Sequence, residues 1–227
     1  MRSRIHPVAP RDFAPRFSRR SSDASIMHMR AVVHFCRFLL SLDQPRSQLT
    51  AAELDVLLKY ARGAKIAVEI GCAEGKTSVA LAQAVAGRIY SIDIFSRGRF
   101  GISYSEWTAK IHRRRRGVKN LEFVKGDSKA VAYQFPDLID FLFIDADHSY
   151  DAVRADWNLW GSKVRPGGII ACHDCRIGPN NRNCLDSMRF YEEHMRHAPW
   201  ATEIDGVDSL AVFRVLSTGA HDPLQMQ

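Results

Sequence analysis

The chain has 227 residues, 46% hydrophobic and 25% charged, which suits one full α/β domain and excludes two large ones. Its formal charge of +7 invites a nucleic-acid or membrane partner until the charge is located. Residues 1–37 hold eight arginines (Arg2, Arg4, Arg11, Arg16, Arg19, Arg20, Arg30, Arg37) against Asp12 and Asp23, a segment charge of +6, so the remainder carries only +1.

Residues 1–25 are rich in Arg, Ser and Pro with few aliphatics, and are expected to form a disordered basic tail. The same composition fits a transit peptide, and Met27 and Met29 leave room for an over-extended start. Apart from that, a cytoplasmic location is expected, because no apolar run approaches the roughly 20 residues of a membrane span. Residues 26–63 read as N-terminal helices capping the substrate. Helical apolar spacing covers 26–42, and Thr50-Ala-Ala-Glu53 is a capping-box pattern opening a helix that Gly63 ends.

From 64 to 217 strands and helices alternate. Strands are expected at 65–70, 88–92, 121–124, 138–144 and 168–172, with helices at 76–86, 104–116, 128–134, 149–160 and 184–197. A strand pair at 201–215 turns about 205–208, and 218–227 is a C-terminal tail. This order predicts a Rossmann-like, doubly wound, mostly parallel seven-stranded sheet, with an antiparallel edge strand and helices on both faces. Ligands in such sheets gather beyond the carboxyl ends of the strands, so the residues just after each strand matter most. The five cysteines (Cys36, Cys72, Cys172, Cys175, Cys184) read as reduced and buried; Cys172-His173-Asp174-Cys175 lacks the second pair that a zinc site needs.

The first strand ends in "EIGCAEGKTS", Glu69 to Ser78. A phosphate loop needs four residues between its first glycine and Gly-Lys, and Gly71 and Gly75 bracket three. The dinucleotide fingerprint fails as well, because position 73 is alanine. What remains is an acid at the strand end, a glycine for the turn, and a glycine where the helix starts. That suits a cofactor with an ammonium for Glu69 and a carboxylate for the helix N-terminus at Gly71–Ser78. Asp93 ends the second strand, where a carboxylate can accept ribose hydroxyls, and Asp127-Ser128 follows the third, within reach of an adenine amino group. Lys76 reads as a solvated helix-start residue.

"VEIGCAEGKTSVALA", "IYSIDIF" and "VKGDS" resemble the cofactor motifs of class I S-adenosylmethionine-dependent methyltransferases. The resemblance implies that Glu69, Gly71, Gly75, Ser78, Asp93, Asp127, Ser128 and Asp145 line the cofactor site. "FIDADHSYDAV" and "PGGIIACHD" resemble the O-methyltransferase branch related to caffeoyl-CoA and catechol enzymes, and to those acting on sugars and natural products. That resemblance implies a divalent metal (Mg²⁺ or Mn²⁺) on Asp145, His173 and Asp174, and His148 as the base that takes a proton from a small-molecule hydroxyl. The chain departs from the catechol type at two positions: His148 stands where that type has lysine, and His173 where it has aspartate. The second change replaces an oxygen ligand by nitrogen, which weakens the case for Mg²⁺ and leaves room for Mn²⁺, Fe²⁺ or no metal.

Arg113–Arg116, at a helix end favoured by the dipole, keeps an RNA methyltransferase as an alternative, and a non-catalytic cofactor-binding protein is the other. The Asn/Asp-Pro-Pro-aromatic signature of amino-directed enzymes is absent, which weighs against RNA bases. Tyr104 and Trp107 are expected to pack on the core or cover the substrate. A homo-oligomer is compatible with all of these readings.

Overall fold

The alternation builds one seven-stranded sheet in a computed structural model that describes residues 19–98, 101–135, 138–181 and 186–217. The helices are α1 (Arg19–Leu39), α2 (Ala51–Ala61), α3 (Lys76–Ala84), α4 (Tyr104–Arg115), α5 (Ser128–Ala132), α6 (Tyr150–Gly161) and α7 (Asp186–Glu193). The strands are β1 (Ile66–Ile70), β2 (Arg88–Asp93), β3 (Leu121–Lys125), β4 (Ile139–Ile144), β5 (Val164–Cys172), β6 (Ala201–Val207) and β7 (Leu210–Val215). Their order across the sheet is β3-β2-β1-β4-β5-β7-β6. The first five strands pair in parallel, and β7 runs antiparallel to both β5 and β6 at one edge.

Strand sequences such as "IAVEI" and "IDFLFI" are apolar on both sides because both faces of the sheet are covered. In β4, Leu142 and Ile144 join a core with Trp157, Trp160 and Phe213, while Phe141 and Phe143 join a second core with Leu57 and Leu81. The alternation of one strand between two cores is the period-two geometry of a pleat. The strand order reverses between β1 and β4, so their carboxyl ends diverge and leave a crevice.

The capping box forms as expected. Thr50 Oγ1 accepts from the Glu53 amide at 3.1 Å, and a Glu53 carboxylate oxygen accepts from the Thr50 amide at 2.7 Å. Helix α1 starts at Arg19, inside the segment expected as a disordered tail; the rest of that tail, residues 1–18, lies outside the described residues, as does the tail at 218–227. Strand β5 starts at Val164 rather than Gly168, because Val164 already pairs with Ile139; an irregularity follows, with Gly167 at φ +78°, before pairing resumes at Ile169. The expected start of the last helix at Cys184 also lies outside the described residues.

The basic run at Arg113–Arg116 serves the fold in part. Arg115 donates to the carbonyls of Phe38 and Leu39 at 2.8 and 2.7 Å and lies over the Phe38 ring, capping the end of α1. Tyr104 and Trp107 pack on Phe35 of the same helix, with ring centroids 5.4 and 5.9 Å apart. Cys72, Cys172 and Cys175 are buried and free, whereas Cys36 is exposed, contrary to expectation: it falls on the outward face of α1.

Candidate active site

A cavity of about 970 Å³ opens at the β1/β4 crevice, where the strand-end residues named from the sequence converge. Gly71, Cys72, Asp93, Asp127, Ser128, Asp145 and His148 all reach its wall. The connector from Asp43 to Thr50 crosses one side through Arg46, Ser47 and Gln48. It is tied to the cofactor loop by the Arg46 amide donating to Glu74 at 2.7 Å, by Ser47 Oγ 3.2 Å from Thr77 Oγ1, and by His34, which sits between Asp43 and Glu74.

Glu69 is fully buried at the floor, paired in register with Ser91, whose hydroxyl donates to Oε2 at 2.6 Å. Its other oxygen, Oε1, has no hydrogen-bond partner among the described residues. Burial, reinforced by Asp145 and Asp93, pushes this carboxyl up to about 8 against the favourable effect of the nearby Ser78 and Ser91 hydroxyls. A buried carboxyl with one oxygen unmatched is what an approaching ammonium would satisfy and ionise. Ser78 Oγ, beside it, is likewise buried without an aligned partner.

Gly71 has φ +83°, and a Cβ there would stand 1.9 Å from the Asp145 carbonyl oxygen. Gly75, at φ +74°, is the N-cap of α3, and a Cβ there would meet Ala109 at 2.9 Å. The loop between them turns its amides inward. Asp93 Oδ2 accepts from Cys72 and Ala73 at 3.0 Å each, and Oδ1 accepts from Phe95 at 2.7 Å. Asp93 therefore first organises the glycine loop, with lone-pair capacity remaining for the hydroxyls of a ribose. Asp127 is the N-cap of α5, its Oδ1 accepting from Ala130 at 3.1 Å. Lys76 is exposed, as expected of a solvated helix start.

At the other end, carboxylates and imidazoles meet. His148 Nε2 lies 2.9 Å from Asp174 Oδ2 and 4.0 Å from Asp145 Oδ1. His173 Nδ1 lies 3.2 Å from Asp145 Oδ1 and 3.5 Å from Asp174 Oδ2. Neither nitrogen makes an aligned hydrogen bond, so these are close polar contacts with their lone-pair directions unspent. Asp174 adopts φ +54°, a left-handed conformation costly for a non-glycine residue, and Asn181 and Ser187 bond its side chain and carbonyl at 2.6 and 2.7 Å. Despite burial, its carboxyl is held well below the ordinary range by His148 and His173. Burial lowers His148 less than Asp174 raises it, so the imidazole sits above its ordinary value.

Sequence reasoning missed what stands behind His173. Glu53, on α2, is 1% exposed; its Oε2 lies 3.3 Å from His173 Nε2, and its Oε1 accepts from the Ser209 amide and hydroxyl at 2.8 and 2.5 Å. Burial opposes its charge, but these partners hold Glu53 down at about 2 and help raise His173 to about 12. Nothing beyond the capping box marks Glu53 in the sequence. Glu53→Ala should cost about 3 kcal/mol of stability in urea unfolding, since it strands a buried imidazole and Ser209. A loss below about 1 kcal/mol would refute that assignment.

A doubly wound sheet with glycines at its first turn, an unmatched buried acid and acids at successive strand ends has the donor and acceptor set that a nucleoside bearing an ammonium would need. Residues 68–175, just under half of the chain, match the family described as a methyltransferase domain. No curated protein matches the sequence. Among solved structures, the chain resembles cofactor-bound Rv0187 from MTB at 20% identity, covering 86% of this chain and 90% of that one, with a TM-score of 0.64. It also resembles an O-methyltransferase from Bacillus cereus in complex with SAH (19% identity, 89% and 93% covered, TM-score 0.59). A third is the O-methyltransferase TomG from Streptomyces achromogenes, involved in tomaymycin synthesis and solved with SAM (20% identity, 87% and 96% covered, TM-score 0.59). At these identities the likeness speaks for the fold.

Proposed function

We propose that the protein transfers the methyl group of S-adenosylmethionine to a hydroxyl oxygen of a small molecule, a sugar or secondary metabolite. The observation that carries this reading is the meeting of His148 and Asp145, both on the cavity wall, with Asp174 behind His148. The O-methyltransferases among the similar folds support the same choice.

Glu69 Oε1 receives the cofactor's ammonium, the amides at the start of α3 face its carboxylate, and Asp93 takes the ribose hydroxyls. When bound, S-adenosylmethionine would supply an electrophilic methyl group and depart as the neutral thioether, and His148 would take the acceptor's hydroxyl proton at Nδ1, the ring nitrogen that Asp174 does not engage. Holding oxygen, methyl and sulfur in line is the larger part of the work, an effect that can supply roughly 7–11 kcal/mol.

Two carboxylates and the His173 Nδ1 nitrogen, which makes no aligned hydrogen bond, also suit a divalent cation. Asp145 and Asp174 would hold it with His173, whose Nε2 is backed by Glu53 as ligating imidazoles commonly are. The mixed oxygen and nitrogen set favours Mn²⁺ or a later ion over Mg²⁺. When bound, such an ion lowers the pKa of a coordinated hydroxyl.

No described helix is long and apolar enough to cross a membrane. The function is tested by calorimetric titration with S-adenosylhomocysteine, then by mass spectrometry of small-molecule extracts incubated with methyl-labelled S-adenosylmethionine. Micromolar binding and a labelled methyl ether are expected. Binding without any labelled ether, with label found in RNA instead, would overturn the choice of acceptor.

A further inference from the structure

Helix α6 places a carboxylate where the cofactor's purine must end. The amino-acid end of the cavity is marked by Glu69 and the start of α3, and the ribose position by Asp93, so the base falls next along the rim, against Gly126–Lys129. Asp156 reaches that wall from the middle of α6 and is 3% exposed. The Ser128 hydroxyl, on the same wall, donates to Asp156 Oδ1 at 2.6 Å.

A serine hydroxyl has one proton, and this one is spent on Asp156, which leaves Ser128 with only lone pairs to offer the cavity. The neighbouring Asp127 has committed Oδ1 to capping α5. We propose that Asp156 is a positioning residue that sets the hydrogen-bond polarity of this end of the cavity, making Ser128 an acceptor for the 6-amino group of adenine and an unfavourable neighbour for a 6-oxo purine. The proposal rests on the S-adenosylmethionine reading and adds to it how the base is told from its deaminated form.

The arrangement is costly, which argues that it does more than join two helices. Burial lifts the Asp156 carboxyl to about 6; among its neighbours Ser128 and Lys129 favour the charge, while Asp127 and Asp147 oppose it. A buried carboxylate accepting from a serine hydroxyl is a poor way to staple α6 to α5, because an apolar contact there would avoid the desolvation. It is a good way to fix which way a hydroxyl points.

The test compares binding of S-adenosylhomocysteine and S-inosylhomocysteine by calorimetry at pH 7.5. The wild type should prefer the adenosyl compound by about 30-fold or more, since the inosyl compound sets two acceptors face to face. In Asp156→Ala the freed hydroxyl can turn its proton to the cavity, and the preference should fall about tenfold, mostly through tighter inosyl binding. Ser128→Ala should lower the preference too, by weakening adenosyl binding and by removing the acceptor that the inosyl oxygen faces. It keeps the question open to measurement if Asp156→Ala fails to fold. In the wild type the preference should also shrink as pH falls through about 6, where Asp156 gains a proton and can donate to Ser128. If Asp156→Ala weakens both ligands equally, or Ser128→Ala leaves the ratio unchanged, Asp156 is only a structural staple and the proposal is wrong. A wild type that binds neither compound would remove the cofactor reading itself, which is a different outcome from an unaltered ratio.

Discussion

Gly71→Ala should abolish measurable binding of S-adenosylhomocysteine, with at least a 100-fold loss of affinity, or about 2.7 kcal/mol. The new Cβ would lie 1.9 Å from the Asp145 carbonyl oxygen and 2.8 Å from Ala146 Cα. Both are backbone atoms of the loop that follows β4, so neither can swing away as a side chain would. The φ of +83° adds the strain that any L side chain meets in that region. The chain can relieve the clash only by parting the ends of β1 and β4. That movement would dislocate the Gly71 amide from Ile92 and the Asp145 amide from Ile70, each now bonded at 2.8 Å. Because the cofactor loop and Asp145 share this hinge, affinity and turnover should fall together. Gly117→Ala is the control: φ is +65° but nothing lies within 4 Å of the added carbon, so about 1 kcal/mol of stability should go and cofactor binding should stay. Near-normal affinity in Gly71→Ala would show that the loop does not depend on this close approach.

The sequence announces Gly71 and Gly75 because tight turns admit few residue types, and it announces the strands because a doubly covered sheet needs apolar runs. The residues after β1, β2 and β3 were legible for the same reason: topology sends ligand-facing chemistry to strand ends, and Glu69, Asp93 and Ser128 all stand there on the cavity wall. What stayed hidden arrives sideways. Glu53 and Asp156 lie within helices, at positions where an acid normally marks a solvated face or a cap. Only the fold shows them 1% and 3% exposed, against His173 and Ser128. The Asp43–Thr50 connector has no motif at all, and it reaches the cavity because His34 and Glu74 pin it from two sides. The basic run carries a packing role that its local pattern does not announce: of four arginines in a row, one closes α1. Local pattern reports what a segment requires of itself, whereas contacts across more than a hundred residues, such as Glu53 to His173, are set by packing alone.

His148→Ala should lower turnover by about 10²- to 10⁴-fold while leaving S-adenosylhomocysteine affinity within about threefold. The size follows from the chemistry, since a neutral hydroxyl is a poor nucleophile and His148 is the imidazole at this end with an exposed edge, its side chain 33% accessible against 1% for His173. The sign of the pH dependence is fixed by Asp174. Its carboxylate favours the imidazolium, so His148 titrates above the ordinary histidine value of about 6.5, and the rate should fall as pH drops through that raised value. Asp174→Asn removes the carboxylate, so the acid limb should move to lower pH even though the peak rate declines. Metal affinity separates the base from a ligand. Manganese binding followed by paramagnetic resonance should survive His148→Ala but collapse in Asp174→Ala if Asp145, Asp174 and His173 are the donors. Among the described residues, however, the group whose possible ligand atoms all lie within 4.8 Å of one another is Asp145, His148 and Asp174. Loss of manganese in His148→Ala would make that trio the donor set and move the proton-accepting role elsewhere. A chelator-insensitive enzyme that still loses activity with His148 would leave the His148–Asp174 pair to do the activation without an ion, a role the 2.9 Å contact between them already permits.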